Sequence, residues 1–360
     1  MKVLKKIGRI VLSIILAVVI LAAAYVVYVF IAYRRLPDNV ELEVVRPVKY
    51  GSAPLTGREY KIVSWNIGFG AYEDDYGFFM DGGTQSWDWS KERVTANVMK
   101  IGSQLGKQRA DILLVQEIDT KSTRSYKINE LELLSGGLEG YTRDFAQNYD
   151  SPFLFYPITQ PHGKSRAGIG TFTTFDISSA LRRSLPIEKG LSKFLDLDRC
   201  YSVSRVPLND GSELVVYNLH LSAYTSDPTT ATEQLRLLLE DMQAEYGAGN
   251  YCIAGGDFNK DLLGDSSVWF GKGDREYSWA QPIPPETFDG VDIELVAPLD
   301  EDDPVPSCRN ADGPYHEGQY VLTIDGFLVS PNVEVRESGV IDYAFKYSDH
   351  NPVYMTFILK

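Results

Sequence analysis

Tyr347-Ser348-Asp349-His350-Asn351-Pro352, running into the strand-like Val353-Tyr354-Met355-Thr356-Phe357, decides the reading of this chain. An Asp-His pair before a terminal strand means little alone. Here it closes an ordered series: Ser64-Trp65-Asn66, Val115-Gln116-Glu117, Asn218-Leu219-His220, Gly256-Asp257-Phe258-Asn259 and Thr323-Ile324-Asp325. Each stands at the end of an apolar, strand-like run. Polar groups delivered from several strand ends to one face are how an α/β scaffold assembles a catalytic site. These residue types suit a hard divalent cation and the cleavage of a phosphoester.

Outward from those motifs, strands and helices alternate from Tyr60 onward. Tyr60–Asn66 and Asp111–Glu117 read as strands, and Ser90 as the cap of a helix running to about Lys107. Glycine-punctuated apolar runs at 153–160, 168–175, 201–208 and 213–221 read as further strands. Leu235, Leu238, Leu239 and Met242 follow helical spacing, so Pro228–Tyr246 is expected to be an amphipathic helix with a core-facing stripe. Strands resume at 250–256, 321–329 and 353–359. Two stretches, 68–89 and 260–320, carry no clear period and read as long loops, either contacting substrate or simply solvated.

Glu117 ends a run that reads as a buried strand, where a carboxylate is costly unless paired or bound to a cation. Oxygen ligands from one or two carboxylates, with waters, suit magnesium, and manganese is the alternative. Asn66 offers a neutral oxygen. Asp257 and Asn259, beyond Gly255-Gly256, project in one direction and can position a water and a phosphate oxygen, although Asp and Asn are also common in Asx turns. The four histidines are His162, His220, His316 and His350. His220 and His350, at strand ends, can move protons or carry charge, and Asp325 can fix the tautomer of one of them. His162 and His316 read as core or loop residues. Arg166, Arg309 and Asn310 lie in loops and can contact a substrate phosphate, with surface solvation as the other account of each.

The chain has 360 residues with 44% hydrophobic and 12% aromatic content, ample for a large core. The first segment differs in kind. Ile10 to Tyr33 carries no charge and is long enough to span a bilayer core of about 30 Å. Lys2, Lys5, Lys6 and Arg9 precede it, and Arg34 and Arg35 follow. That asymmetry predicts a cytoplasmic N-terminus and an extracytoplasmic bulk, single-pass in the cell membrane. A cleaved signal peptide, cut after Ala22-Ala23-Ala24, is the rival. The run outlasts the usual apolar region of about 7–15 residues, so an uncleaved signal anchor is expected. The organisation is then a basic tip (1–9), a transmembrane anchor (10–33), a proline-bearing linker (34–58) and a catalytic domain (59–360). The formal net charge is −14, and all bases before Leu36 stand without an acid, so the remainder is more acidic still. A basic groove tracking a phosphate backbone is not expected. Cys200, Cys252 and Cys308 allow at most one disulfide, Cys252 reads as a core thiol, and nothing resembles a zinc site. No protein partner is indicated.

The ordered set resembles the endonuclease/exonuclease/phosphatase superfamily, on its deoxyribonuclease I-like and neutral sphingomyelinase-like side, across roughly 58–360. Ser64-Trp65-Asn66 is similar to the family's first-strand Asn motif, Gln116-Glu117 to its metal-binding Gln-Glu, and Asn218-Leu219-His220-Leu221 to its Asn-x-His. Gly256-Asp257-Phe258-Asn259, Ile324-Asp325-Gly326-Phe327-Leu328 and Ser348-Asp349-His350-Asn351-Pro352 complete it. The resemblance implies a four-layer α/β sandwich, two packed mixed sheets flanked by helices. It implies that Glu117, with Asn66, holds the principal magnesium, with Asp349 helping to hold metal or phosphate. Asp257 and Asn259 would align the attacking water and a phosphate oxygen. Asp325 would orient His350 as base or phosphate-stabilising cation, and His220 would stabilise phosphate or protonate the leaving group. How Asp257, His220 and His350 divide base and acid work stays open. Gly68 and His220 depart from the abasic-site nucleases, which carry Asp and Tyr there, and Gly326 departs from the 5-phosphatases, which carry Arg. The expectation is an anchored, metal-dependent phosphoesterase acting on a phosphodiester or phosphomonoester, with lipid headgroups or small esters favoured. A deoxyribonuclease-like endonuclease is the alternative, and a non-catalytic phosphate-ligand binding protein a further one.

Overall fold

The computed structural model describes residues 2–33, 35–49, 51–187, 190, 197–223, 229–271 and 279–360. Two sheets carry the domain. The first has the order β14 (Val333–Val340), β15 (Val353–Leu359), β2 (Glu59–Asn66), β3 (Ile112–Asp119), β5 (Arg166–Thr173), β4 (Thr142–Asp150). The second runs β1 (Val40–Glu41), β6 (Ser179–Ser184), β7 (Cys200–Pro207), β8 (Glu213–His220), β9 (Tyr251–Asp257), β13 (Asp325–Val329), β10 (Glu294–Val296). A short ribbon, β11 (Cys308–Arg309) with β12 (Val321–Leu322), stands apart. Both sheets are mixed: β2 and β3 are parallel, as are β8 and β9, and the other pairs are antiparallel. Each parallel pair is joined through a helix, α2 (Lys91–Lys107) and α4 (Thr229–Gly247), the crossover that parallel strands require.

The apolar positions sort into three layers of contact. Between the sheets lie Ile62, Leu114, Val216, Ile253, Phe327, Met355 and Phe357. Outside the first sheet, Val94, Val98, Ile101 and Leu105 of α2 pack with Leu134 of α3 (Glu130–Gly137) on Val63, Leu113 and Val115. Outside the second, Leu235, Leu238, Leu239 and Met242 of α4 pack on Val215, Tyr217 and Cys252. The leucine stripe is therefore core, and the fold is the four-layer sandwich. Ser90 caps α2 as expected, its hydroxyl accepting from the Arg93 N–H at 3.1 Å, a bond worth about 1 kcal/mol.

Some expectations are corrected. The run 153–160 is not a strand. It is a loop with one bridge, Leu154 to Gly163, and the strand lies just before it as β4. The run 321–329 splits at Thr323-Ile324 into β12 and β13, which belong to different sheets. Pro228 lies outside the described residues, and α4 begins at Thr229. The described parts of the linker, 35–49 and 51–58, are bonded to the domain. Val40–Glu41 pairs with β6, the Val45 N–H donates to Arg143 O and the Arg143 N–H to Val45 O, and the Gly57 N–H donates to Leu359 O. Before them, α1 (Lys2–Ala32) is a single helix whose Val3–Ala32 stretch is apolar and long enough to cross a membrane.

Candidate active site

The site sits where the two sheets meet, at the carboxyl ends of β2, β3, β8 and β9. Register does most of the assembly. His220 pairs with Asp257 across β8 and β9, and Asp257 with Asp325 across β9 and β13, so three functional groups stand abreast on neighbouring strands. From the other sheet come Asn66 and Glu117. A buried amide pair holds the sheets in place: Gln116 Nε2 donates to Asn218 Oδ1 at 2.8 Å, and Asn218 Nδ2 donates to Gly170 O at 2.9 Å. Gln116 and Asn218 are thus structural members of their motifs.

The loop Ser348-Asp349-His350 is tied to the end of β2. The Trp65 indole donates to His350 O at 2.8 Å and the Ser348 hydroxyl to Asn66 O at 2.8 Å. Local backbone geometry is unusual at the same place. Glu117 and Asn259 hold φ of +57° and +50°, a left-handed conformation that costs a non-glycine residue about 1–2 kcal/mol. At Glu117 it accompanies the break in register between β3 and β5 and turns a half-buried carboxylate into the cavity. Gly256 is needed for close approach, since a Cβ there would lie 2.0 Å from Leu219 O. At Gly68 a Cβ would meet Tyr72 and come within 3.1 Å of Asp349 Oδ1, so the small residue leaves room for both.

The ionisable groups divide sharply. His350 Nδ1 donates to Asp325 Oδ2 at 2.8 Å, and the Ser307 hydroxyl donates to the same oxygen at 2.7 Å. Burial opposes a charge on His350, but Asp325, with Cys308 and Asp349, outweighs it and holds the imidazole well above its ordinary range. His220 goes the other way: burial, then the positive charges of Arg199, His350 and Arg124, keep it neutral. Its Nδ1 is buried without a partner among the described residues, and its Nε2 lies 3.6 Å from Asp257 Oδ2 and 3.9 Å from Glu117 Oε1. Burial pushes Asp257 up to about 7, with His350 drawing it down and Asp325 pushing it further up. His350 Nε2 stands 3.9 Å from Asp257 Oδ2. Asp349 is also raised, by burial first, with Glu117 adding to it.

These groups line a cavity of about 330 Å³, of the size that holds a small ligand. Glu117, His220, Asp257, Asn259, Arg309, Asn310, Asp349 and His350 face it. Asn66 and Asp325 stand behind it, each bonded to a lining residue. Asn66 is a donor here: its Nδ2 reaches Asp257 Oδ2 at 2.9 Å and Glu117 Oε1 at 3.2 Å, while its Oδ1 accepts from the Gly68 N–H at 3.0 Å. Asn259 Nδ2 donates to Leu221 O at 2.8 Å. Arg166 is not in the cavity. It is exposed and its Nε lies 3.3 Å from Asp150 Oδ2. Arg309 and Asn310 are buried, which overturns the solvated reading of both. The Arg309 guanidinium donates to the carbonyls of Glu73, Tyr76 and Gly313 and so binds the two long loops to each other. The Asn310 amide has no hydrogen-bond partner among the described residues.

Sequence reasoning missed Arg124, Arg199, Asn148 and Tyr72, all in the cavity wall. Arg124 makes two bonds to Asp119 at 2.9 and 3.0 Å and lies over the Phe69 ring. None sits in a motif, and only their place in the cavity wall reveals them. His162, read as core or loop, is buried beside the Ser86 hydroxyl and also faces the cavity.

Glu117, Asp257 and Asp349 are the carboxylates among the site residues that line the cavity. Two of them are carboxyls made unfavourable as anions by burial. That donor set fits a hard divalent cation. Asp257, Asp325 and His350 also place ligand-type atoms within 4.8 Å of one another, although the Asp325–His350 contact is already a hydrogen bond.

The architecture is an α/β sandwich with its polar cavity at the strand ends, and comparison with known proteins identifies the class. The family model of the Endonuclease/Exonuclease/phosphatase family matches residues 63–350, and the chain belongs to that family, whose members hydrolyse phosphoester bonds and generally depend on divalent metals. No curated protein matches the chain by sequence. Among solved structures, it is similar to an endonuclease/exonuclease/phosphatase from Beutenbergia cavernae (17% identity, TM-score 0.57, covering 84% of this chain and 72% of that one). It is also similar to the human Nocturnin catalytic domain with bound sulfate (18%, 0.53, 89% and 98%) and to an endonuclease/exonuclease/phosphatase from Bacteroides vulgatus (14%, 0.52, 84% and 100%). At these identities the likeness is one of fold.

Proposed function

We propose that this cavity hydrolyses a phosphoester, diester or monoester, by attack of water in line with the leaving group. The observation that carries the reading is the opposed pair of histidines about Asp257. Asp257, raised to about 7, has the basicity of a general base at neutral pH and stands within reach of both imidazoles. His350, held cationic by Asp325, presents Nε2 to the cavity, where it can offset charge growing on phosphate and give a proton to the departing oxygen. His220, held neutral, can accept or donate one hydrogen bond through Nε2 without adding charge. Asn66 keeps Glu117 and Asp257 in place, and Glu117 with Asp349 would hold the cation. Magnesium or manganese, when bound, supplies neutralisation of the phosphate and polarises its oxygens. Arg199 and Arg124 add positive potential to an otherwise acidic protein.

The α1 helix is proposed to be a signal anchor, with the N-terminus cytoplasmic and the catalytic domain extracytoplasmic. An acidic domain tethered to a bilayer favours lipid headgroups or small phosphoesters over polynucleotides. The test uses the full chain in detergent with magnesium, offered bis-p-nitrophenyl phosphate, sphingomyelin, phosphatidylinositol phosphates and supercoiled plasmid, with His350→Ala as control. Ester or lipid turnover lost in the variant is the expected result. Plasmid nicking without lipid turnover would replace this reading with an anchored endonuclease, and silence on every substrate would end the hydrolase reading.

A further inference from the structure

The loop that follows β4 is apolar and faces outward. From Ser151 to His162 it carries no acid, lysine or arginine, in a protein of net charge −14. Phe155, Tyr156 and Ile158 are 57, 68 and 87% exposed. Exposed apolar side chains in one charge-free segment mark an interaction surface, not random scatter. What it faces is indicated by α1. Tyr25 Oη donates to Phe153 O at 3.0 Å, the Phe153 N–H donates to Tyr28 Oη at 3.0 Å, and the Tyr25 ring meets Phe155 edge-on at 5.1 Å. Tyr25, Val29 and Ala32, one face of the helix, are its half-buried positions at this end.

Helix length sets the depth. A 31-residue helix is about 46 Å long, against a hydrocarbon core of about 30 Å. A span of about 20 residues begun at Ile10, the first position beyond Arg9, ends near Val29. Tyr25 and Tyr28 then lie at the outer boundary, where tyrosine rings concentrate. The loop bonded to them lies at the same depth, with the Phe153 N–H and C=O and both tyrosine hydroxyls paired there, where water is scarce.

We infer that Phe155, Tyr156 and Ile158 insert into the outer leaflet of the bilayer that α1 enters and hold the domain down on it. The strip continues to the cavity. Tyr156 packs on Phe79 at 5.7 Å, Phe79 packs on Phe78 at 4.7 Å, and Phe78, Met80 (66% exposed) and Asp81 stand on the cavity rim. His162, at the loop's far end, is in the cavity wall. The inserted loop therefore sets the rim of the cavity against the lipid headgroups. The inserted loop is uncharged and the protein around it, Asp81 of the rim included, is acidic, so the bilayer it fits is zwitterionic. This inference rests on the anchor reading of α1 and does not depend on turnover.

The test puts an environment-sensitive fluorophore on the full chain, at Ile158→Cys, in phosphatidylcholine vesicles containing a lipid with a nitroxide high on its acyl chain. The three native cysteines are buried, and label on the unsubstituted chain sets the background. The control position is Lys107→Cys, exposed at the end of α2, about 25 Å along β3 from the site end. Quenching at 158 at least about threefold that at 107 is expected. Adding Phe155→Asp and Tyr156→Asp, both at exposed positions, should bring it down to the Lys107 level while flotation with the vesicles is unchanged. Equal quenching at the two positions, quenching untouched by the aspartates, or a blue shift without quenching (contact with protein) would each overturn the inference. Loss of flotation by the unsubstituted chain would instead remove the anchor reading on which it rests.

Discussion

His350 and His220 reach the same cavity from opposite sides, both nearly sealed from solvent, yet their surroundings drive them to opposite protonation states. On the His350 side a carboxylate lies 2.8 Å from Nδ1 and is itself held by Ser307. On the His220 side Nδ1 has no partner among the described residues, and Arg199, His350 and Arg124 supply like charge. Burial is common to both, so it cannot be what distinguishes them. The difference teaches that one correctly placed acid outweighs desolvation, and that two chemically equal side chains acquire separate duties from their second neighbours.

That contrast can be broken by experiment. The largest effect is expected from His350→Ala or Asp257→Asn, which remove the cation and the candidate base. Each should lower kcat/KM by about 10³-fold or more at pH 7, within the range of acid–base catalysis. Retention of activity by either would show that the pair does no chemistry. Next comes Asp325→Asn, expected to cost about 10²-fold and to move the alkaline limb of the pH–rate profile to lower pH, because the imidazolium loses its partner. An unmoved limb would separate Asp325 from the protonation of His350.

His220→Gln should cost about 10-fold and leave that limb where it was. If the limb moved as far as in Asp325→Asn, the two histidines would be one coupled unit instead of two. The smallest effect is on stability. His350, raised in the fold, contributes stability that is complete below its unfolded pKa of about 6.5 and lost as pH rises through the folded value. Asp325→Asn should therefore lower Tm more at pH 6 than at strongly alkaline pH. His220 is lowered, so its neutral form favours the fold above about 6.5 and that contribution is lost as pH falls toward the folded value. His220→Gln should flatten the acid side of a Tm-against-pH curve by a few degrees, and an unchanged curve would contradict its neutral assignment.

Much of the site was legible because its members close apolar strands, where periodicity stops at a polar residue. Asn66, Glu117, His220 and Asp257 announce themselves in this way, whereas Asp325 opens β13. Other parts were hidden for a definite reason. β4 and β6 bury Asp144, Asn148 and Arg182, and polar residues facing inward erase the alternation that marks a strand. The loop at 153–160 shows the converse: its apolar run imitates a buried strand while its side chains point away from the core. Arg124 and Arg199 carry no local signal, since their place in the cavity wall depends on contacts distant in sequence. Asn66 was expected to offer its oxygen, and the geometry instead turns its NH₂ group to the carboxylates.

The Gln116–Asn218 contact has a mechanical consequence. Two apolar faces pressed together form a slippery joint, because dispersion and hydrophobic contact hardly distinguish one offset from the next. Half of the cavity is bolted to each face, and its chemistry tolerates misplacement of only about 0.5 Å. The buried amide pair, with the Asn66–Asp257 and Ser204–Asp144 bonds that also cross between the sheets, works as a dowel through the joint, turning a tolerance set by grease into one set by hydrogen-bond length. Loops around the rim can then be lengthened, shortened or exchanged for new substrates without any realignment of the two halves beneath them.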